Sequence, residues 1–449
     1  MDKGAHFYKC DFQVHSPRDS AWTGNKFGIN SNDDSIALSE QSKKQITEDR
    51  IQFAKEYLDK ARQSGLQAIA ITDHHDIVSA KLIREIANEE NRSFRASDQH
   101  DKEIIVFPGI ELSLSNPASQ CILIFDADFE DQHLDTIINF LGINPSNEFE
   151  KSTIETHRIS SEIISNLTHL HKILDELQHC KGRYIVLPNV GTGEHSILRR
   201  GFHEHYRKMP CVGGYVDKIV PTESGYQNKI NGGDVNYGYK SIAVISTSDN
   251  RFEDGREFGK HSTWKKWAEP TAEAIRQACL ARESRISALE PQLPQIFITN
   301  IDVTSSKFLG SFSLNFNRQY NALIGGRGTG KSTILEYLRW GLCDLPNPPL
   351  NIEEQSEIEI RRQNLIEKTL IPYEGEVRVT FNLNGSIHII KRNSVSKEIF
   401  LKIGKGEFEL VKEEEIRKIL PIQAYSQKQL SSISVRTEEL KRFIQMPID

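Results

Sequence analysis

Gly325-Gly326-Arg327-Gly328-Thr329-Gly330-Lys331-Ser332-Thr333 fits the spacing G-x-x-x-x-G-K-[ST]. An apolar run, Tyr320 to Ile324, leads in and predicts a strand, and Thr333-Ile-Leu-Glu-Tyr-Leu-Arg-Trp leads out with helical spacing. Glycines let successive backbone N–H groups turn inward around phosphates, Lys331 supplies a point charge to the β- and γ-phosphates, and the Ser332 hydroxyl can hold Mg²⁺. The stretch implies a nucleoside triphosphate site, for ATP with Mg²⁺, formed by Gly325, Gly326, Arg327, Gly328, Thr329, Gly330, Lys331, Ser332 and Thr333.

The loop sits late in a chain of 449 residues, a length that suits two or three domains. Hydrophobic content of 37% and charged content of 26% fit a folded, soluble protein. No apolar run approaches the ~20 residues that cross a bilayer, so no membrane partner is expected. The six cysteines (Cys10, Cys121, Cys180, Cys211, Cys279, Cys343) are scattered without a C-x-x-C pair, which suits reduced thiols in the cytoplasm. A net charge of −6 argues against a surface that coats nucleic acid, although a local basic patch can still engage phosphates.

Upstream, short apolar runs alternate with amphipathic stretches. Residues 67–72, 104–108, 121–125, 184–187 and 242–246 read as buried strands, and 49–63, 78–87, 159–177 and 272–281 read as helices. Such alternation predicts a parallel sheet, closed as a (β/α) barrel in a region this long. Polar groups accumulate where the runs end: His15, then Asp73-His74-His75-Asp76, Glu111, Asn189 and Asp249. In barrels the C-terminal ends of the strands carry the chemistry. Oxygen and imidazole donors converging there suit Zn²⁺, Mn²⁺ or Fe²⁺ that activates water against a phosphoester.

Asp11-Phe-Gln-Val-His15-Ser, Ile71-Thr-Asp-His-His75, Pro108-Gly-Ile-Glu111 and Ser248-Asp249 resemble the successive motifs of the PHP (polymerase and histidinol phosphatase) phosphoesterases over residues 6–285. The resemblance implies a distorted β/α barrel with a site for two or three metals. This chain departs from it at four places: Gln13 replaces the first His of H-x-H, Cys121 is the nearest match to a strand-opening His, Asn189 stands where another His is common, and Arg251 follows Asp249 where S-D-x-H is expected. His15, Asp73, His74, Glu111 and Asp249 remain as metal-ligand and catalytic candidates, with Cys121 a weaker one and His75 and His195 as substitutes. His169 and His171, two apart on a helix, point to different faces. His203 and His205 read as surface residues, and Trp264 and Trp267 as packing for the last helix.

Residues 284–295, with Pro291 and Pro294, read as the linker between a domain over 1–284 and another over 296–449. Strands over 296–303 and 312–316 precede the P-loop, and 375–383 with 386–392 form a hairpin. This order resembles the N-terminal lobe of ABC-type heads in the SMC, Rad50 and RecF group. Ala424-Tyr-Ser-Gln427-Lys-Gln-Leu430 looks like their Q-loop, with Gln427 as the Mg²⁺- and water-contacting residue and Gln423 and Gln429 as neighbours. No Walker B strand ending in Asp-Glu and no glycine-bearing signature loop follow Lys331, so the chain reads as the front part of a longer ATPase that binds ATP but hydrolyses it poorly.

The pairing of such a barrel with such a P-loop resembles the TrlF-type PHP–ATPase proteins, including the Ppl group associated with bacterial anti-phage defence. The resemblance implies a metal-dependent nuclease, gated by ATP, acting on nucleic acid or nucleotide as a homo-oligomer. Two other classes stay open: a phosphatase that depletes free NTPs, and a non-catalytic DNA-tethering module whose barrel only binds.

Overall fold

The computed structural model describes residues 4–29, 39–143, 148–151, 164–344, 357–422 and 424. The chain forms two compact units, one over 5–291 and the other from Gln292 onward with the first few residues.

The first unit runs β1 (His6–Val14), α1 (Glu40–Gln63), β2 (Ala68–Ile71), α2 (Val78–Ala96), β3 (Ile105–Ser115), β4 (Ala118–Phe125), α3 (Asp131–Phe140), α4 (Leu167–Glu176), β5 (Tyr184–Pro188), α5 (His203–Lys208), β6 (Gly213–Asp217), α6 (Ser224–Ile230), β7 (Ala243–Thr247), β8 (Thr263–Trp267), α7 (Ala272–Leu280), α8 (Arg282–Arg285) and β9 (Ile286–Ser287). A seven-stranded sheet in the order β5-β4-β3-β2-β1-β8-β9 curls toward the β6-β7 pair. Isolated bridges between Asn189 and Tyr215 and between Val14 and Asn250 join the two pieces, so the sheet closes into a distorted barrel.

The strands are not uniformly parallel. β1, β2 and β3 run parallel, but β3 turns back directly into β4, which is antiparallel to both β3 and β5. A hairpin of this kind needs no crossover helix. Two further strands, β6 and β8, are absent from the apolar runs of the sequence. β8 carries Trp264 and Trp267, so these are strand residues; Trp267 stacks on Tyr8 at 4.9 Å and meets Phe12 at 6.2 Å inside the barrel, where α7 also packs Ala272, Ile275 and Cys279.

Period-two alternation divides the strands into two layers. Phe12, Ala68, Ala70, Phe107, Ile122, Ile124, Leu187, Tyr215 and Ile245 fill the interior. Ile69, Ile71, Val106, Cys121, Leu123 and Val186 pack outward against Tyr57 and Leu58 of α1, Ile83 of α2 and Leu134 of α3. Gly109 lets β3 lie against its neighbours: a Cβ there would sit 2.9 Å from Thr72 Cγ2 and 3.0 Å from the Leu123 carbonyl oxygen.

The second unit runs β10 (Ile296–Val303), β11 (Phe312–Asn315), α9 (Lys331–Gly341), α10 (Glu357–Thr369), β12 (Glu376–Leu383), β13 (Ser386–Asn393), β14 (Ile399–Ile403), β15 (Glu409–Leu410) and α11 (Glu413–Ile419). Its sheet is antiparallel in the order β11-β10-β12-β13-β14-β15. Ile301, Val303, Val377, Val379, Phe381, Ile390 and Leu401 form a core with Tyr337 and Trp340 of α9 and Ile416 of α11. Close approach of α9 depends on Gly341, where a Cβ would meet Val377 Cγ1 at 2.8 Å.

The expected strand over Tyr320–Ile324 is not formed. These residues lie outside every ladder among the described residues, and Tyr320 and Ile324 are 84% and 93% exposed. Apolar composition favours a strand only where a neighbour accepts its backbone bonds. No helix among the described residues is long and apolar enough to cross a membrane.

Candidate metal centre and nucleotide loop

The barrel mouth is assembled from strand ends. A register shift in β1 between Asp11 and Val14 breaks the alternation, so that Phe12 faces the interior while Gln13 and His15 reach the Glu111 carboxylate. β2 ends at Ile71 and delivers Asp73 and His74; β3 delivers Glu111, and the segment after β7 delivers Asp249. His75 and Asp249 hold φ of 54° and 51°. A left-handed backbone at two non-glycine residues of one mouth is strain that the surrounding structure must hold.

Four of the five candidates meet directly. His15 Nε2 lies 3.0 Å from Asp249 Oδ1 and 3.5 Å from Glu111 Oε2, and His74 Nε2 lies 3.4 Å from that same Glu111 oxygen. One donor atom each from His15, His74 and Glu111 falls within 4.8 Å of the others, a set that can hold a metal ion; a second such set is His15, Asp19 and Asp73. Glu111 Oε1 accepts from Tyr215 Oη at 2.9 Å, and Gln13 Nε2 donates to both carboxylate oxygens at 3.3–3.4 Å. Gln13 Oε1 in turn accepts from Thr247 Oγ1 at 2.7 Å. Gln13 therefore clamps the carboxylate and does not present an oxygen to the centre.

Asp73, the fifth candidate, is near but engaged. Its carboxylate accepts from Ser16 N at 2.7 Å and Ser16 Oγ at 2.5 Å, and its closest imidazole atom, His15 Nδ1, is 3.9 Å away. Asp19 was not singled out in the sequence, yet its Oδ2 lies 2.9 Å from both His15 Nδ1 and His74 Nδ1 and accepts from His74 N at 2.9 Å. A carboxylate behind an imidazole fixes the ring and directs its other nitrogen to a metal. His15 Nδ1 is buried beside Asp19 Oδ2 without an aligned hydrogen bond, so at His15 the pairing is one of charge and position.

The remaining candidates lie elsewhere. Cys121 is fully buried in the outer layer, because β4 presents alternate residues; its neighbour Gln120 reaches the mouth, with Nε2 3.2 Å from His74 Nε2. His75 Nε2 accepts from Ser113 N at 3.0 Å, a structural bond. The His195 side chain is 54% exposed and pairs with Glu194. Asn189 Oδ1 accepts from Gly191 N, and its Nδ2 donates to Asp217. His171 faces Tyr184 Oη at 3.1 Å, while His203 and His205 lie on α5.

Charge is held tightly in the mouth. Burial opposes a charged imidazole at His15, yet Asp19 and Asp249 outweigh it and hold the group well above its ordinary value. Burial likewise opposes charge on His74, but Glu111 and Asp19 raise it. At Asp19 burial would raise the carboxyl, and His15 and His74 instead hold it well below. Burial, reinforced by Asp19, pushes Asp73 up to about 7. Arg251, with Nε 2.8 Å from Asp249 Oδ1, adds a fixed positive charge. Without a metal the carboxylates therefore retain protons on the imidazoles; a divalent cation would displace them.

The P-loop is a different kind of site. Gly328 and Gly330 take φ of 82° and 91°, and α9 begins at Lys331, whose Nζ folds back onto the Gly325 and Gly326 carbonyl oxygens at 2.6 Å each. Ser332 is exposed at the helix start. The residues fit a triphosphate: loop amides and the helix N-terminus for the phosphates, Lys331 to swing onto them, and Ser332 for Mg²⁺. Gln427, Gln423 and Gln429 lie outside the described residues.

Residues 305–447 match the AAA domain family. No curated protein matches the sequence. Among solved structures, a two-domain protein from Bacteroides vulgatus containing a predicted PHP-like metal-dependent phosphoesterase is 15% identical, with 70% of this chain and 84% of that one covered and a TM-score of 0.35. A protein from Bifidobacterium adolescentis assigned as a metal-dependent phosphoesterase is 10% identical, with coverages of 60% and 94% and a TM-score of 0.30. An SMC ATPase structure, described for ATP-driven dimerisation and DNA-stimulated activation, is 16% identical, with coverages of 34% and 99% and a TM-score of 0.23. The P-loop thus lies within a segment that matches the AAA domain family and follows the barrel unit in the sequence.

Proposed function

We propose that the barrel, over residues 1–284, is a metal-dependent phosphoesterase acting as a nuclease, and that the ATPase domain, over 296–449, governs it through ATP and Mg²⁺. The observation that carries this is the meeting of His15 Nε2, His74 Nε2 and Glu111 Oε2 within 3.5 Å contacts beside Asp249. A bound divalent ion, Mn²⁺, Zn²⁺ or Fe²⁺, would lower the pKa of water and neutralise charge on a phosphoryl oxygen. His15, His74, Glu111 and Asp249 would hold it.

The chain's own residues prepare that centre. Asp19 turns both imidazoles so that their Nε2 atoms face Glu111, Tyr215 holds Glu111 by its far oxygen, and Gln13 donates to both of its oxygens. Asp73 ties the Ser16 turn to the end of β2 and so fixes where His15 emerges. The role proposed here is the cleavage of nucleic acid in bacterial anti-phage defence, in the cytoplasm and as a homo-oligomer; six free, buried cysteines suit a reducing compartment.

Hydrolysis of single- and double-stranded DNA, RNA and free NTPs with Mn²⁺, by this chain and by a His74→Ala/Asp249→Ala double variant, tests the proposal. Cleavage of a polynucleotide that disappears in the variant is expected. Phosphate release from NTPs alone would replace the nuclease by a nucleotide phosphatase. Absence of hydrolysis on every substrate would leave a non-catalytic module and overturn the proposal.

A further inference from the structure

Arg251 reaches the same carboxylates as the two imidazoles. Its Nε lies 2.8 Å from Asp249 Oδ1, Nη1 lies 3.7 Å from Asp19 Oδ1 and Nη2 lies 3.9 Å from Glu111 Oε2. Asp249 and Glu111 face His15 with the very oxygens they offer to the guanidinium. Three carboxylates thus converge on a cation that the chain supplies itself.

We propose that Arg251 is a built-in second cation of the centre: it takes the place of a second metal ion among Asp19, Glu111 and Asp249, and its free N–H groups bind a phosphoester oxygen. This rests on the phosphoesterase proposal above. A guanidinium has five N–H donors in a planar fork and stays charged at every relevant pH. Only Nε is within hydrogen-bond distance of a carboxylate; the two terminal nitrogens sit beyond it, so their donors remain available. The side chain is 23% exposed, which leaves the fork open to a substrate entering the mouth. Arginine forks match phosphate oxygens in pairs. His15, His74 and Glu111 then hold a single divalent ion, and the guanidinium supplies the second positive group that a phosphoester needs.

The test is Mn²⁺ stoichiometry of the nucleotide-free full chain by equilibrium dialysis, together with the affinity of the Mn²⁺-loaded protein for inorganic phosphate. The parent is expected to bind one Mn²⁺ and Arg251→His two. Arg251→Met is expected to keep one Mn²⁺ but to bind phosphate about 10–100-fold more weakly, with Arg251→Lys in between. Two or more Mn²⁺ on the parent overturns the proposal. So does an unchanged count in an Arg251→His variant that melts like the parent, or phosphate affinity that Arg251→Met leaves intact. If Arg251→His does not fold, Arg251→Met and Arg251→Lys decide the matter. A parent that binds no Mn²⁺ at all instead overturns the phosphoesterase proposal beneath it.

Discussion

The barrel mouth and the P-loop both prepare for phosphate, by opposite means. In the mouth His15, Asp19, Asp73 and Glu111 are at most 1% exposed, and every one lies against another charged or polar group from a distant part of the chain. The P-loop is contiguous, largely exposed, and its lysine rests on its own loop carbonyls. The first is a pre-paid arrangement, in which burial makes each unpaired charge expensive and each partner therefore hard to replace. The second is cheap to form and gains its order from the ligand. Substitutions in the mouth should therefore propagate from residue to residue, whereas those in the loop should stay local.

The largest break in this comparison comes from His15→Ala and His74→Ala. Each should reduce Mn²⁺-dependent phosphodiester hydrolysis by at least about a thousandfold, measured with a chromogenic diester, while binding of a fluorescent ATP analogue stays at the parent level. Lys331→Ala should do the converse: nucleotide affinity falls about 10–100-fold through loss of a charge-assisted contact, and Mn²⁺ binding by the nucleotide-free chain does not change. Coupled losses in both measurements from a single P-loop substitution would erase the distinction.

Asp19→Asn sharpens it further. Weakening the carboxylate behind two imidazoles should cost about 10–100-fold in metal affinity, seen by competition with a chelating dye. Smaller is the effect of pH on the metal-free protein. The carboxyl of Asp73 is raised to about 7, so its contribution is present below the unfolded value and is lost as pH climbs through the folded one. His15 and His74 are raised as well, which takes stability away in the same direction above their ordinary range. Metal-free protein should therefore lose stability between pH 6 and 8, followed by thermal melting, and Asp73→Asn should flatten that slope by about 1 kcal/mol. Saturating Mn²⁺ should reverse it, since the ion replaces the protons. Least affected of all is Cys121→Ala: an outward-packed thiol should cost about 1 kcal/mol of stability and leave metal affinity within a factor of about two.

The legibility of the molecule follows the same division. The P-loop could be read because its chemistry lies in consecutive residues, and β2 and β5 because each is a clean apolar run. β6 was hidden by its opening Gly213-Gly214, and β8 by Lys265 and Lys266, although Lys265 is fully buried with its Nζ 3.9 Å from the Phe12 ring centroid. The reversal at β4 has no trace in hydrophobicity, since a buried strand reads alike in either direction. That reversal brings the opening of β4 to the mouth, and alternation along the strand then turns Gln120, and not Cys121, toward it. Asp19 stands in the turn that leaves β1, four residues after His15, where an aspartate is unremarkable; only the fold brings it behind both imidazoles. The apolar stretch before the P-loop marks the opposite failure, a pattern that predicts a strand where the described residues offer no partner for its backbone.

The central claim is that the mouth is a metal-dependent phosphoesterase centre organised around Glu111. Release of nitrophenol from bis-p-nitrophenyl phosphate, with Mn²⁺ titrated into metal-free parent and Glu111→Gln protein, tests it most directly. Saturable, Mn²⁺-dependent turnover in the parent, lost by at least about a hundredfold in Glu111→Gln protein that still melts cooperatively, is the predicted result. Turnover that ignores Mn²⁺, or that survives Glu111→Gln intact, would contradict it.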